Sequence, residues 1–327
     1  MAVGVGLIGF GTVGQSVARL LTSTRVERAR LVRVCGRPNG RSRPRWLPGS
    51  VGWTDRFESL LDPDVDVVVE LVGGIEPARE WACRALLSGK SVVTANKQLV
   101  AQHGSELRVL ASRQRRAFLF EGAVAGGVPV IRGLQDGLAG DRLVRIAGIL
   151  NGTCNFVLTR MEDDGLLFED AVAEAKARGY AEADPTADID GLDARAKLAI
   201  LCSIGFGIEV HPSQIPCLSI AGVTVGDLAR ANATGHTIRQ LSTAELVEGL
   251  PSSVKASVGP VLLPIDSPFA RCRGPQNVVA VTGEFGGETV FSGQGAGGNP
   301  TAVAVVSDIL AVAAAHGHAT GLAQFDA

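Results

Sequence analysis

Residues 3–8, Val-Gly-Val-Gly-Leu-Ile, form a short apolar run with β-branched members. Gly9-Phe10-Gly11-Thr12-Val13-Gly14 follows at once, and residues 15–21 carry a helical pattern. This is G-x-G-x-x-G set between a strand and a helix. Gly9 allows the tight turn, Gly11 lets the backbone approach a pyrophosphate, and Gly14 lets helix and strand pack closely. The helix N-terminus then faces phosphates with unpaired N–H groups and the positive end of its dipole. A glycine-rich turn that binds nothing is the plainer reading of the motif. The strand before it, the helix after it and its place at the chain start favour a dinucleotide.

The same alternation continues. Strands are expected over 30–35, 64–72, 91–94 and 117–120, and a helix over 76–88 closed by Gly89. The 64–72 run is too apolar for one exposed face, as in a parallel sheet. Functional side chains of such sheets gather beyond the strand C-termini. Gly73, Asn96, Lys97 and Glu121 all fall there, where turn and cap residues also fall. The second strand ends in Gly36-Arg37-Pro38-Asn39-Gly40-Arg41-Ser42-Arg43, with no acid for ribose hydroxyls and with three arginines. That favours the 2′-phosphate of NADP, with Arg37 the best candidate. NAD stays open, because a solvated basic loop reads the same way.

Near residue 140 the character changes to α+β. A strand is expected over 142–150, followed by Asn151-Gly152-Thr153 and a helix, with further helices over 168–178 and 192–204. Strands over 277–285 and 288–291 flank Gly286-Gly287, a two-residue hairpin signature. A glycine loop, 293–298, leads through Pro300 into a last apolar helix, 301–316, which needs a partner, plausibly the first domain. The expected domains are 1–138 with 296–327, for the dinucleotide, and 139–295, for catalysis and dimerisation. Within the second, Glu182, Asp184, Asp188, Asp190 and Asp193 crowd ahead of Lys197, which follows Asp193 by one helical turn. The segment then runs Leu-Ala-Ile-Leu-Cys. An amine where a polar loop meets a buried helix suits acid–base work; an ordinary surface ion pair is the competing reading.

Bulk properties narrow the class. The 327 residues allow two domains, and a net charge of −2 with 20% charged residues offers no basic field for nucleic acid. The six cysteines are scattered without a C-x-x-C pair, which fits reduced thiols in the cytoplasm better than zinc or disulfides. The N-terminus lacks a basic n-region and is used by the first strand, so no signal peptide is expected. No apolar run is expected to reach transmembrane length, so no membrane partner is expected.

Taken together, the chain resembles homoserine dehydrogenase over nearly its whole length. The 9–14 turn, Thr94-Ala95-Asn96-Lys97, residues 121–129, Asn151-Gly152-Thr153-Cys154-Asn155, residues 179–197 and Gly295-Ala296-Gly297-Gly298 carry the likeness, the 179–197 block most specifically. The resemblance implies a Rossmann domain, a dimerisation region and a mixed-sheet catalytic region, with the C-terminal helix returning to the nucleotide domain. It implies interconversion of L-homoserine and L-aspartate 4-semialdehyde with NAD(P)H, in amino-acid biosynthesis toward threonine and methionine. Lys197 would be the general acid–base. Glu182 and Asp193 would bind the amino acid, with help from Asp188, and Lys97 would sit close to both substrate and nicotinamide. Phe10, Thr12, Val13, Gly73, Ala95, Gly179 and the Gly297 loop would touch the cofactor. Glu121 and the carbonyls of Val124, Gly126 and Val128 would hold a sodium ion. A homodimer or dimer of dimers is implied.

The chain departs from the family at Gly122, where alanine is commoner, and at Gln294 and Asn299, where proline and a larger apolar residue are. It is expected to lack the C-terminal regulatory ACT domain and N-terminal aspartokinase of many relatives, and with them threonine inhibition. Two other readings compete: a related dehydrogenase acting on another small hydroxy amino acid, and a non-catalytic NAD(P)-binding sensor. The joint presence of Lys197, Asp193 and Glu182 argues against the sensor, which needs none of them.

Overall fold

The structure, a computed structural model, describes residues 2–23, 26–36, 42–249 and 253–322. It divides into two compact units, Met1–Gly127 with Gly297–Ala327, and Val128–Ala296. The first crossing lies earlier than the expected 138, because the segment after it folds with the second unit. A Cβ on Gly133 would lie 2.5 Å from the Phe291 ring.

The first unit is built on six parallel strands: β1 (Val3–Ile8), β2 (Ala29–Cys35), β3 (Gly52–Thr54), β4 (Val67–Glu70), β5 (Ser91–Thr94) and β6 (Phe118–Leu119). Their order is β3-β2-β1-β4-β5-β6, so the direction of winding reverses between β1 and β4. β1, β4 and β5 are buried end to end, as strands covered on both faces must be. β4 is shorter than the expected 64–72. Just before it, the Asp66 carboxylate accepts the Gly4 amide at 2.7 Å in place of a backbone carbonyl, while the Asp66 backbone still bonds Gly4 and Ser91. At the other end, the amides of Val72 and Gly73 turn back to the Glu70 carboxylate.

The last helix, Gly298–Leu322, is longer than expected. Over Gly298–His316 it is long and apolar enough by length and composition to cross a membrane, contrary to the sequence expectation. Half of that stretch is buried within the structure, however. Val305, Ile309 and Val312 join the core formed by Val5, Leu7 and Val17. A core helix passes the same composition test as a membrane span.

The second unit carries an antiparallel sheet of β7 (Leu143–Ile149), β8 (His236–Val247), β9 (Ser253–Pro264), β10 (Gln276–Gly283) and β11 (Gly287–Gln294), in the order β11-β10-β7-β8-β9. The β10–β11 hairpin has three loop residues instead of two, since Gly283 pairs with Gly287. The Asp141 carboxylate holds this tip open by accepting the Gly286 amide at 2.7 Å and the Phe285 amide at 3.2 Å. β11 runs on to Gln294, so the expected 293–298 loop contracts to 295–297.

Sequence patterning does not reveal β8, because buried polar residues lie on both of its faces: Thr237 and Arg239, 1% and 0% exposed, on one, and Gln240 and Ser242, 2% and 0% exposed, on the other. Arg239 is held at its two Nη atoms, by an ion pair and hydrogen bonds, while its buried Nε has no hydrogen-bond partner among the described residues. Its Nη2 donates to Glu162 Oε2 at 2.6 Å, and its Nη1 donates to Thr237 Oγ1 at 2.8 Å and to the Ile238 carbonyl at 2.9 Å. Arg273 Nη1 donates to Glu162 Oε2 at 2.8 Å. Glu162 lies in the last turn of the helix Gly152–Asp164, so the network pins that helix to β8. Burial pushes the Glu162 carboxyl up, but hydrogen bonds from Thr237 and Arg239 and the charges of Arg239 and Arg273 outweigh it and hold it below the ordinary glutamate value. Its stabilisation is therefore complete above that ordinary value and is lost as pH falls through the folded one. Glu162→Gln should destabilise the protein by about 3–5 kcal/mol, the cost of stranding a buried partner charge. The difference from wild type should shrink in acid. Denaturant titration at neutral and acid pH measures both.

Candidate active site

The helix Leu192–Phe206 begins after Gly191, which holds φ +77°. Its residues from Ala196 to Cys202 are all buried, so Lys197 enters an apolar interior one turn after Asp193. Lys197 is 9% and Asp193 6% exposed, which removes the surface ion-pair reading. Lys197 Nζ donates to Asp193 Oδ2 at 2.8 Å and to the Leu150 carbonyl at 2.8 Å. These bonds use two of the three N–H donors of an ammonium. A neutral amine keeps both and aims its lone pair along the third direction.

Asn151, just past β7, organises the acids. Its Nδ2 donates to Asp188 Oδ1 at 2.7 Å and to Asp193 Oδ2 at 2.8 Å. Its Oδ1 accepts the Cys154 amide at 2.8 Å and so caps the helix Gly152–Asp164. The adjacent thiol of Cys154 donates to the Asp188 carbonyl at 3.1 Å. Burial, followed by the charges of Asp188 and Asp193, pushes that thiol well above its usual range, so it stays neutral. The sequence reading quotes Asn151 only as part of a motif. An Asn-Gly-Thr opening a helix is a cap signal, and nothing in it shows which carboxylates the other end meets.

The remaining acids separate. Asp184 accepts the Thr186 amide at 3.1 Å and hydroxyl at 2.5 Å, a local turn. Glu182 is exposed and makes no hydrogen bond among the described residues. The structure therefore joins Asp188 and Asp193 to Lys197 and leaves Glu182 outside the cluster. Gly179, at φ +74°, follows the helix Phe168–Ala177. The next residue, Tyr180, is tied back by its carbonyl, which accepts the Thr153 hydroxyl at 2.7 Å.

In the first unit the three motif glycines differ as their expected roles require. Gly9 has φ +94°, and a Cβ there would lie 2.6 Å from the Leu71 carbonyl oxygen. A Cβ on Gly14 would lie 2.2 Å from the Gly9 carbonyl oxygen, whereas one on Gly11 would meet nothing within 4 Å. The turn is closed where helix and strand pack and open where a pyrophosphate would approach, which fits a dinucleotide. Gly11 precedes the helix Thr12–Leu21 without a side-chain cap, leaving its first amides, including those of Thr12 and Val13, to other acceptors. Phe10 is fixed edge-on to Trp53, with ring centroids 5.1 Å apart.

Glu70, which the sequence reading passes over, holds the neighbouring loops. It is 1% exposed and accepts Val72 N at 2.7 Å, Gly73 N at 3.2 Å and Thr94 Oγ1 at 2.6 Å. Asn96 Nδ2 donates to the Gly74 carbonyl at 2.6 Å, and Asn96 Oδ1 caps the helix Lys97–Arg113. Gly73, Ala95 and Lys97 are thus set by one network at the ends of β4 and β5. Of the three arginines after β2, Arg37 and Arg41 lie outside the described residues. Arg43 is committed to its own loop, donating to the Val51 carbonyl at 2.8 Å.

Glu121 is 3% exposed, and its amide donates to Asp308 Oδ2 at 2.8 Å. Ala125 and Gly126 follow in the left-handed region at φ +54° and +55°. That costs a non-glycine residue roughly 1–2 kcal/mol, in a tight turn a few residues after a buried carboxylate. A carboxylate with main-chain carbonyls suits a hard monovalent cation. Val128 belongs to the second unit. Gly297, at φ +119°, leads into the last helix, and a Cβ on Gly298 would press on Thr12 at 2.9 Å.

Comparison with known proteins places the chain in a family. The family model for homoserine dehydrogenase matches residues 129–310, and that for the homoserine dehydrogenase NAD-binding domain matches 9–121. The homoserine dehydrogenase of Corynebacterium glutamicum is 43% identical over 323 residues, covering 95% of this chain and 72% of that protein. That of Bacillus subtilis is 40% identical over 318 residues, covering 95% and 73%. The crystal structure of a homoserine dehydrogenase from Thiobacillus denitrificans superposes with a TM-score of 0.91 at 40% identity, covering 97% of this chain and 74% of that one. A hyperthermophilic archaeal homoserine dehydrogenase in complex with NADPH gives a TM-score of 0.79 at 28% identity, covering 95% and 97%. The chain belongs to the homoserine dehydrogenase family, oxidoreductases that use a nicotinamide dinucleotide to interconvert L-homoserine and L-aspartate 4-semialdehyde.

Proposed function

We propose that Lys197 is the general acid–base of this reaction. The observation that carries the reading is its amine, nearly buried and held between Asp193 Oδ2 and the Leu150 carbonyl. A bound nicotinamide supplies or takes the hydride. In the reducing direction the third N–H of Lys197 stabilises the charge growing on the substrate oxygen and delivers the proton. In the oxidising direction the neutral amine, its other two N–H groups still engaged, takes the hydroxyl proton.

Asp188 and Asp193, paired through Asn151, form with Glu182 the anionic surface for the substrate's α-ammonium. Lys97 stands at the head of its helix as a second cation for substrate and nicotinamide. Gly9, Phe10, Gly11, Thr12, Val13, Gly14, Gly73, Ala95, Gly179 and Gly297 line the dinucleotide site. Arg37 gives it a preference for NADP over NAD. Glu121 and the carbonyls of Val124, Gly126 and Val128 hold a sodium ion that orders the loop. The six free cysteines suit a cytoplasmic setting.

A second copy of the chain is the proposed partner. β9 is an edge of the second sheet. It and its surroundings expose Leu262 at 54%, Val261 at 37%, Leu218 at 64% and Ile265 at 58%. A groove of about 340 Å³ lined by Leu218, Val223, Ile238, Pro260 and Leu262 lies among them. Pro216 and Leu218 already pair with Val258 midway along this edge; the apolar part beyond Gly259 is the proposed pairing surface, and two-fold pairing is the commonest closed assembly.

Lys197→Ala should fold normally and lose roughly 10²–10⁴-fold in kcat; near-wild-type turnover would sink the assignment. Glu182→Gln should raise KM for homoserine more than KM for the dinucleotide, and movement of the dinucleotide KM alone would place Glu182 in the nucleotide site. Sedimentation at micromolar concentration should show a dimer or a dimer of dimers, and Leu262→Glu should shift it toward monomer. A fully active wild-type monomer would refute the assembly.

A further inference from the structure

We infer that Asn277 is a positioning residue for Lys197, acting through the carbonyl of Leu150. The inference rests on Lys197 being the acid–base. Asn277 lies on β10 and is 0% exposed. Its Nδ2 donates to the Leu150 oxygen at 3.0 Å, the same atom that accepts Lys197 Nζ at 2.8 Å. A carbonyl oxygen has two lone pairs, so these two donors fill it between them.

Two further observations single out the donor end of this amide. Its Oδ1 is buried without a hydrogen-bond partner. An apolar side chain of the same shape would avoid that penalty, so the amide is kept for what its nitrogen does. The second observation is Gly295. A Cβ there would lie 1.8 Å from Asn277 Oδ1. Gly295 is not among the residues with positive φ, so its lack of a side chain answers Asn277 and not the backbone. A position on β10 and one just past the end of β11 are thus given over to one hydrogen bond.

The result is a brace with two arms. Lys197 rests on Leu150 O and Asp193 Oδ2, and each of those atoms is held by a second amide, Asn277 on one side and Asn151 on the other. Among the described residues, Asp193 pairs with the amine, Asp188 meets the same Asn151 amide as Asp193, and Cys154 feels the charge of Lys197; Asn277 adds no charge to them. Its contribution is the direction of the third N–H or lone pair of Lys197, on which proton transfer depends.

Asn277→Leu keeps the shape, adds no charge and offers no N–H to the carbonyl. Asn277→Ala truncates the side chain and serves if the leucine variant does not fold. Steady-state kinetics with L-homoserine and a nicotinamide dinucleotide, in H₂O and D₂O, tests both. Misalignment of the amine should lower kcat about tenfold or more, leave both KM values within about twofold, and enlarge the solvent isotope effect on kcat. A structural role would lower thermal stability without enlarging that isotope effect. Unchanged kcat, a change in KM alone, or a kcat loss with an unaltered isotope effect overturns the inference. An inactive Lys197→Ala enzyme beside fully active Asn277 variants rejects this inference alone, whereas an active Lys197→Ala enzyme removes the reading beneath it.

Discussion

The chemistry proposed for the second unit depends on one ion pair that is almost out of water. Lys197 and Asp193 meet at 2.8 Å with little exposure on either side. A pair so placed costs desolvation that the attraction alone need not return. It is made tolerable by neutral partners: the Leu150 carbonyl for the lysine, and the Asn151 amide for the aspartate. Those partners fix where β7 ends, where the helix Gly152–Asp164 starts, and how closely the helix Leu192–Phe206 approaches them. The pair makes the fold specify a site instead of merely accommodating one.

The first unit uses the opposite device. The site proposed there is defined by what is missing, a side chain at Gly11 and at Gly73, and by a buried carboxylate, Glu70, whose acceptors are filled by the turning backbone and the Thr94 hydroxyl. Apolar strands supply the rigid platform, and the functional geometry sits in the loops at their ends. A ligand bound through main-chain amides needs this arrangement, since amides cannot be moved without moving the sheet.

Much of this was legible in the sequence, and the reasons differ from place to place. β1, its glycine turn and the following helix are a local pattern with one geometric solution. Lys197 at one turn from Asp193, ahead of an apolar run, is likewise local. What escaped was non-local. β8 carries Arg239 and Thr237 inward, so its alternation reads as polar until Glu162 is brought to it from another helix. Asn151 and Asn277 look like a cap and a strand end, and their amides acquire meaning only where β7 and β10 lie side by side. The hairpin tip was misread because Asp141, far away in sequence, widens it. The last helix packs into the core of the first unit, as its apolar composition implies, and differs from the expectation in being longer and in matching a membrane span by length and composition.

The order of segments along the chain has its own consequence. The second unit is one continuous stretch, whereas the first is completed by residues from Gly297 onward. During synthesis the second unit can close as soon as its own residues have left the ribosome. The parallel sheet must wait with Leu7 and Val17 uncovered until Val305 and Ile309 arrive. Nascent chains generally fold by completed units and expose apolar surface while one is incomplete. The nucleotide-binding half is therefore the part of this protein that ribosome-associated chaperones have reason to hold, although it is the half made first.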